Sequence, residues 1–157
     1  MNYLIVDAGN SRIKIVVFKG QQLLRREDCG ESDFLKVVSA IFSSHKISKV
    51  ILSSVGSMTA TLCELLSRFQ EVVLLSTSTP VPFQNRYQSP TTLGVDRIAL
   101  VSAAALQYPA KNVLVIDAGT CVTYDVKNAE NEYLGWAISP GLQMRYKALA
   151  SQTENLP

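Results

Sequence analysis

Two short stretches carry the residue types best suited to chemistry, and they share a pattern. Asp7-Ala8-Gly9-Asn10-Ser11 follows the apolar run Tyr3–Val6, and Asp117-Ala118-Gly119-Thr120-Cys121 follows Val113–Ile116. Each puts one carboxylate at the end of an apolar strand, then a small-residue turn, then a returning β-rich run, Ile13–Phe18 or Cys121–Tyr124. Glycine lets backbone come close to a ligand and take φ > 0 at no steric cost. Short side chains such as Asn10, Ser11 and Thr120 add donors beside exposed turn N–H groups, an arrangement that can cradle phosphate oxygens. A carboxylate beside them suits a hydrated cation riding on those phosphates. A plain hairpin can carry Asp-Ala-Gly as turn chemistry alone. Its recurrence 110 residues on, at the end of a second apolar strand, weighs for the phosphate reading and for a duplicated domain. Lys14 fits equally as a phosphate contact and as an exposed strand lysine.

A third stretch, Gly94-Val95-Asp96-Arg97, opens a small-residue apolar segment. Asp96 there fits ordinary first-turn pairing with the helix dipole. Arg97 at the same end is unfavourable for the dipole and needs a partner: Asp96, another acid or an anionic ligand. Just upstream, the segment 77–92 holds three prolines and several hydroxyls and reads as a loop or connection. Phe83, Arg86 and Tyr87 within it exceed what a linker needs. No GxxxxGK[ST] occurs, which excludes a P-loop kinase.

The elements that must position these residues follow from periodicity. Strands are expected at Tyr3–Val6, Arg12–Phe18 and Gln22–Glu27, followed by a helix over Asp33–Ser44 capped by Ser32. A strand at Lys49–Ser54, a helix at Thr59–Phe69 and a strand at Glu71–Ser76 complete β-β-β-α-β-α-β. This order predicts a mixed sheet with helices covering its faces. The next helix spans Leu93–Tyr108 and is apolar enough to be packed on most sides. The hairpin Val113–Asp125, a turn at Asn128–Asn131, a strand at Tyr133–Ser139 and a helix from Leu142 follow. Trp136 reads as a core or interface anchor. The expected domains are 1–92, the first domain with its connecting loop, and 93–157, an inter-domain helix with the start of the second. From Asp117 only 41 residues remain, so the second domain is expected to be incomplete and the chain truncated.

Bulk composition excludes several classes. The chain has 157 residues, 47% of them hydrophobic, and a net charge of +2 without blocks of like charge. That permits a core and predicts neither a nucleic-acid nor a membrane surface. No apolar run approaches the ~20 residues of a membrane span. Three scattered cysteines and no basic, apolar leader point to a reducing cytoplasm. A single histidine rules out a multi-histidine metal site.

Taken together, DAGNSRIK at Asp7–Lys14, Tyr87 followed by GVDR, and DAGTCVTYD with SPGLQMRYKAL at Ser139–Leu149 resemble type III pantothenate kinase. That family belongs to the acetate and sugar kinase, Hsp70 and actin superfamily. The resemblance implies duplicated ribonuclease H-like (actin-like ATPase) α/β domains with mixed five-stranded sheets. It implies ATP-dependent phosphorylation of pantothenate to 4'-phosphopantothenate, which opens coenzyme A synthesis. Asp7, Ala8, Gly9, Asn10, Ser11, Arg12, Ile13, Lys14 and Thr120 would bind ATP, with Asp7 holding Mg²⁺ through the phosphates. Tyr87, Gly94, Val95, Asp96 and Arg97 would bind pantothenate, and Asp96 would be the general base. Asp117 would hold a monovalent cation, potassium or ammonium. A cytoplasmic homodimer is implied. Cys121-Val122 and Trp136 depart from the small or hydroxyl residues and the glycine expected at those places. The competing expectations are a kinase of the same superfamily with another substrate, a non-catalytic regulatory relative, and an inactive fragment.

Overall fold

The computed structural model describes residues 1–9 and 12–153. The chain divides into two compact units, Met1–Thr79 and Pro80–Pro157. In the first, β1 (Asn2–Ala8), β2 (Ile13–Lys19) and β3 (Gln22–Cys29) form the expected meander. Next come α1 (Glu31–Ser44), β4 (Ile47–Ser54), α2 (Thr59–Ser67) and β5 (Val72–Leu74). The sheet order is β3-β2-β1-β4-β5, antiparallel among the first three and parallel from β1 to β5. Strand side chains alternate between faces. Leu4 and Val6 of β1, Ile15 and Val17 of β2, and Val50 and Leu52 of β4 are therefore buried together on one face. Phe34, Val38 and Ile41 of α1 and Leu62 and Leu66 of α2 close over them as one core. Ser32 does not cap α1. The helix starts two residues earlier, at Glu31, with Gly30 as its N-cap and no side-chain cap bond. Glu31 and Asp33 in the first turn meet the helix dipole instead.

The second unit holds β6 (Gln84–Asn85), a 3₁₀ turn at Pro90–Thr92, α3 (Val95–Gln107), β7 (Val113–Ala118), β8 (Cys121–Lys127), β9 (Glu132–Pro140) and α4 (Leu142–Gln152). Its sheet is four-stranded in the order β6-β9-β8-β7. The segment from Pro80, expected to go with the first domain, groups with the second unit. It does so because β6 pairs in parallel with β9, and Gln84 and Arg86 donate their N–H groups to the carbonyls of Asn131 and Tyr133. Helix α3 lies on β8 and β7 and buries Ile98, Val101, Ala104 and Ala105. Leu106 is exposed, so α3 is covered along one stripe rather than on most sides. Trp136 is 76% exposed and anchors no core within this unit. No helix among the described residues is long and apolar enough to cross a membrane.

Candidate active site

In the second unit, β7 delivers Asp117 opposite Thr123 at the end of the hairpin. The turn is closed by the Gly119 N–H donating to the Cys121 carbonyl at 2.8 Å. Strand β9 returns alongside, and Gly141 donates its N–H to the Thr120 carbonyl at 2.9 Å. A Cβ at Gly141 would strike the carbonyl oxygens of Gly119 and Thr120. Only glycine lets the start of α4 approach the Asp117 turn this closely. Ser139-Pro140-Gly141 thus serves to seat the N-terminus of α4 on the turn that carries Asp117 and Thr120.

In the first unit, Asp7 stands opposite Lys14 across β1 and β2, and the lysine Nζ lies 3.8 Å from the carboxylate. Gly9 N–H donates to the Arg12 carbonyl at 3.1 Å and closes that turn. Ala8 and Ile13 are buried in the core, so each offers a ligand its backbone only. Asn10 and Ser11 lie outside the described residues. Asp7, Gly9, Arg12 and Lys14 are thereby brought to one strand end.

The third stretch becomes a site through long-range contacts within the second unit. Gly94 is the N-cap of α3, and a Cβ there would collide with Oδ1 of Asp96. The glycine makes room for the Asp96 carboxylate to fold back over the helix start. There Oδ1 accepts the Arg97 backbone N–H at 2.9 Å. Val95 between them is partly buried. Arg97 itself is only 9% exposed. Its partner is Asp125 of β8, which is fully buried. Nε donates to Asp125 Oδ1 at 2.8 Å. Nη2 lies 2.6 Å from the same oxygen as an ion contact. The Tyr133 hydroxyl donates to that oxygen too, at 2.6 Å. Among the described residues, Oδ2 of Asp125 is buried without a hydrogen-bond partner.

Aromatic rings wall this pair. The Arg97 guanidinium carbon lies 5.3 Å from the centre of the Tyr87 ring, a cation–π contact. Tyr87 stacks on Tyr133 at 6.0 Å, and Phe83 meets Tyr133 edge-on at 5.7 Å. Gly135, at φ +76°, leaves the space that the Tyr87 ring fills; a Cβ there would meet ring carbons. Burial opposes the Arg97 charge, and the Asp125 hydrogen bond and charge outweigh it, so the guanidinium holds its proton more tightly than usual. Burial, then the hydrogen bond to Asp125, pushes the Tyr133 phenol well above its ordinary range.

Tyr87 and Arg97, ten residues apart, are therefore neighbours, with Asp96 next in the helix. Sequence reasoning asked for a partner to Arg97 and did not find Asp125 or Tyr133. The available signal was a lone carboxylate alternating with Thr123 and Lys127 on a strand whose face must be covered. Among the described residues no group of three or more His, Cys, Asp or Glu side chains gathers to hold a metal. A single carboxylate at a turn, as at Asp7 and at Asp117, suits a cation that takes its other ligands from phosphates and water.

A family model described as type III pantothenate kinase matches residues 3–157. The chain is 46% identical to the type III pantothenate kinase of Christiangramia forsetii over 155 residues, covering 98% of this chain and 64% of the relative. It is 42% identical to that of Phocaeicola vulgatus, with the same two coverages. The chain thus spans about 64% of the length of these curated relatives. Among solved structures it is similar to a Campylobacter jejuni protein assigned to the Baf family of transcriptional activators. That similarity has a TM-score of 0.61 and 24% identity, covering 98% of this chain and 62% of the other. It is also similar to an exopolyphosphatase from Cytophaga hutchinsonii, with a TM-score of 0.56, 16% identity, and 94% and 53% coverage. These two likenesses carry the fold alone, which is the ribonuclease H-like, actin-like ATPase fold. By its motifs, its fold and its relatives, the chain belongs to the type III pantothenate kinase family.

Proposed function

We propose that the protein transfers the γ-phosphoryl group of ATP to pantothenate, giving 4'-phosphopantothenate and ADP at the first step of coenzyme A synthesis. The observation that carries this reading is the meeting of Tyr87 and Arg97 at the entry of α3, beside Asp96. It brings two separated sequence stretches into one cluster that holds a guanidinium and a carboxylate. Arg97 reads the pantothenate carboxylate, and Tyr87 packs on the ligand's apolar part. With Oδ1 of Asp96 held by the Arg97 N–H, its other oxygen takes the proton of the reacting hydroxyl. That hydroxyl oxygen bonds to the γ-phosphorus as the bond from phosphorus to the ADP oxygen breaks. Little covalent work is left for the protein beyond positioning and neutralising charge.

The Asp7–Lys14 turn and Thr120 would bind the nucleotide, and Asp7 would hold Mg²⁺ through its phosphates. Asp117 serves a potassium or ammonium ion, and the protein acts as a cytoplasmic homodimer. Bound cations neutralise charge on the transferring group. The test is pantothenate-dependent ADP release with Mg²⁺ and either potassium or sodium. Activity that needs potassium is expected, and Asp96→Asn is expected to abolish turnover while ATP still binds. Near-full kcat in Asp96→Asn would remove it as the base. ATP binding without pantothenate turnover in the wild type would overturn the substrate.

A further inference from the structure

Arg97 is an unusual anion reader, because its guanidinium is already engaged on one side. Both Nε and Nη2 crowd one oxygen of Asp125, and Tyr133 donates to that same oxygen. Asp125 is fully buried and sits on the central strand of the meander, where the backbone cannot move to follow a ligand. Tyr87 covers one face of the guanidinium, backed by Tyr133 and Gly135. Arg97 is thereby left one orientation. Nε and Nη2 turn one edge of the guanidinium to Asp125, and the N–H groups of the remaining edge are the ones a ligand oxygen can meet.

We infer that Asp125, with Tyr133 behind it, is a positioning residue that fixes the guanidinium of Arg97 for reading the substrate carboxylate. The inference rests on the pantothenate reading above. A fixed fork gives a planar, directional contact to a carboxylate, where a free side chain would first have to lose its rotamer freedom. The role belongs to the position of Oδ1 more than to the charge of Asp125. Asparagine keeps an oxygen there that accepts from Nε and from the tyrosine hydroxyl, whereas alanine keeps none.

Steady-state kinetics on the intact protein tests this, with both substrates varied and folding checked by circular dichroism. Asp125→Ala is expected to lower kcat/KM for pantothenate roughly 10- to 100-fold, the worth of a hydrogen bond to a charged group, while KM for ATP stays as in the wild type. Asp125→Asn is expected to recover most of that loss. Tyr133→Phe, which removes one donor to Oδ1 and keeps the ring, is expected to shift pantothenate alone, by a few-fold. If Asp125→Ala does not fold, Tyr133→Phe and Asp125→Asn carry the test. Unchanged pantothenate kinetics in the folded variants, or equal loss for both substrates, would overturn the inference. A wild type without pantothenate turnover would instead sink the functional reading on which it stands.

Discussion

The two copies of the Asp-Ala-Gly device are built alike and buried differently. Leu4 of β1 corresponds to Leu114 of β7 and Val6 to Ile116, at the 110-residue offset that joins Asp7 to Asp117. Leu4 and Val6 are fully buried, whereas Leu114 is 54% and Ile116 57% exposed. In the first unit β1 is central, flanked by β2 and β4, and α1 and α2 cover the Leu4 face. In the second, β7 has only β8 beside it among the described residues, and α3 covers the opposite face, where Thr123, Asp125 and Lys127 are buried. The same strand pattern is thus compatible with either face inside, and the helices decide which. The site differs in parallel. Asp7 faces Lys14 across the sheet; Asp117 faces Thr123. The first turn spans four residues between the last paired positions and the second spans three. One unit keeps an apolar core and puts its charges at the strand end; the other buries an ion pair.

The largest expected effect sets the two equivalent leucines against each other. Leu4→Ala should cost about 2–5 kcal/mol, since it empties a packed site. Leu114→Ala, at an exposed position, should stay within about 0.5 kcal/mol. Urea unfolding of the two variants measures both. Equal losses would break the comparison, because they would mean that the β7 face is covered in solution.

A smaller effect should appear at high pH through Tyr133 of the second unit. Burial and Asp125 hold the Tyr133 proton more tightly in the folded chain, while the unfolded phenol releases it near pH 10. Above that pH the unfolded state has lost a proton that the folded state keeps, so deprotonation stabilises the unfolded state. Stability from this group is therefore complete below about pH 10 and falls as pH rises, by about 1.4 kcal/mol per pH unit at most. Tyr133→Phe should flatten that part of the profile, read from denaturation midpoints between pH 9 and 11. An equal slope in wild type and variant would show that Tyr133 is not held this way.

Much of this was legible in the sequence because it is local. Apolar runs ending in Asp-Ala-Gly located both hairpins, and the alternation in Ile13–Val17 located the core face of β2. Gly94 is also local in origin, explained by a side chain two residues away, whereas Gly135 and Gly141 answer to Tyr87 and to the Gly119-Thr120 turn, both distant in the chain. What escaped depends on contacts across the chain. Asp125 lies 28 residues from Arg97, and β6 is two residues long, with no period of its own. Ser32 was a reasonable cap by type, and the helix simply began before it. Arg97 shows the boundary well: its need for a partner was readable from helix electrostatics, but its partner was not.

Thr123 sharpens the comparison at the smallest scale. It occupies the place across from Asp117 that Lys14 holds across from Asp7, yet its Oγ1 is buried without a hydrogen-bond partner among the described residues. A buried hydroxyl left unpaired has given up its water for nothing, a penalty on the order of 1 kcal/mol or more. Valine has nearly the same shape without that oxygen. If Thr123 is only a strand residue, Thr123→Val should leave stability unchanged or raise it by about 1 kcal/mol, with catalysis intact. If its hydroxyl instead works with Asp117, the variant should stay folded and lose response to potassium, seen by titrating the cation against ADP release. The two results separate a packing residue from a ligand partner, and decide whether the second turn replaced the lysine of the first with another working group or with none.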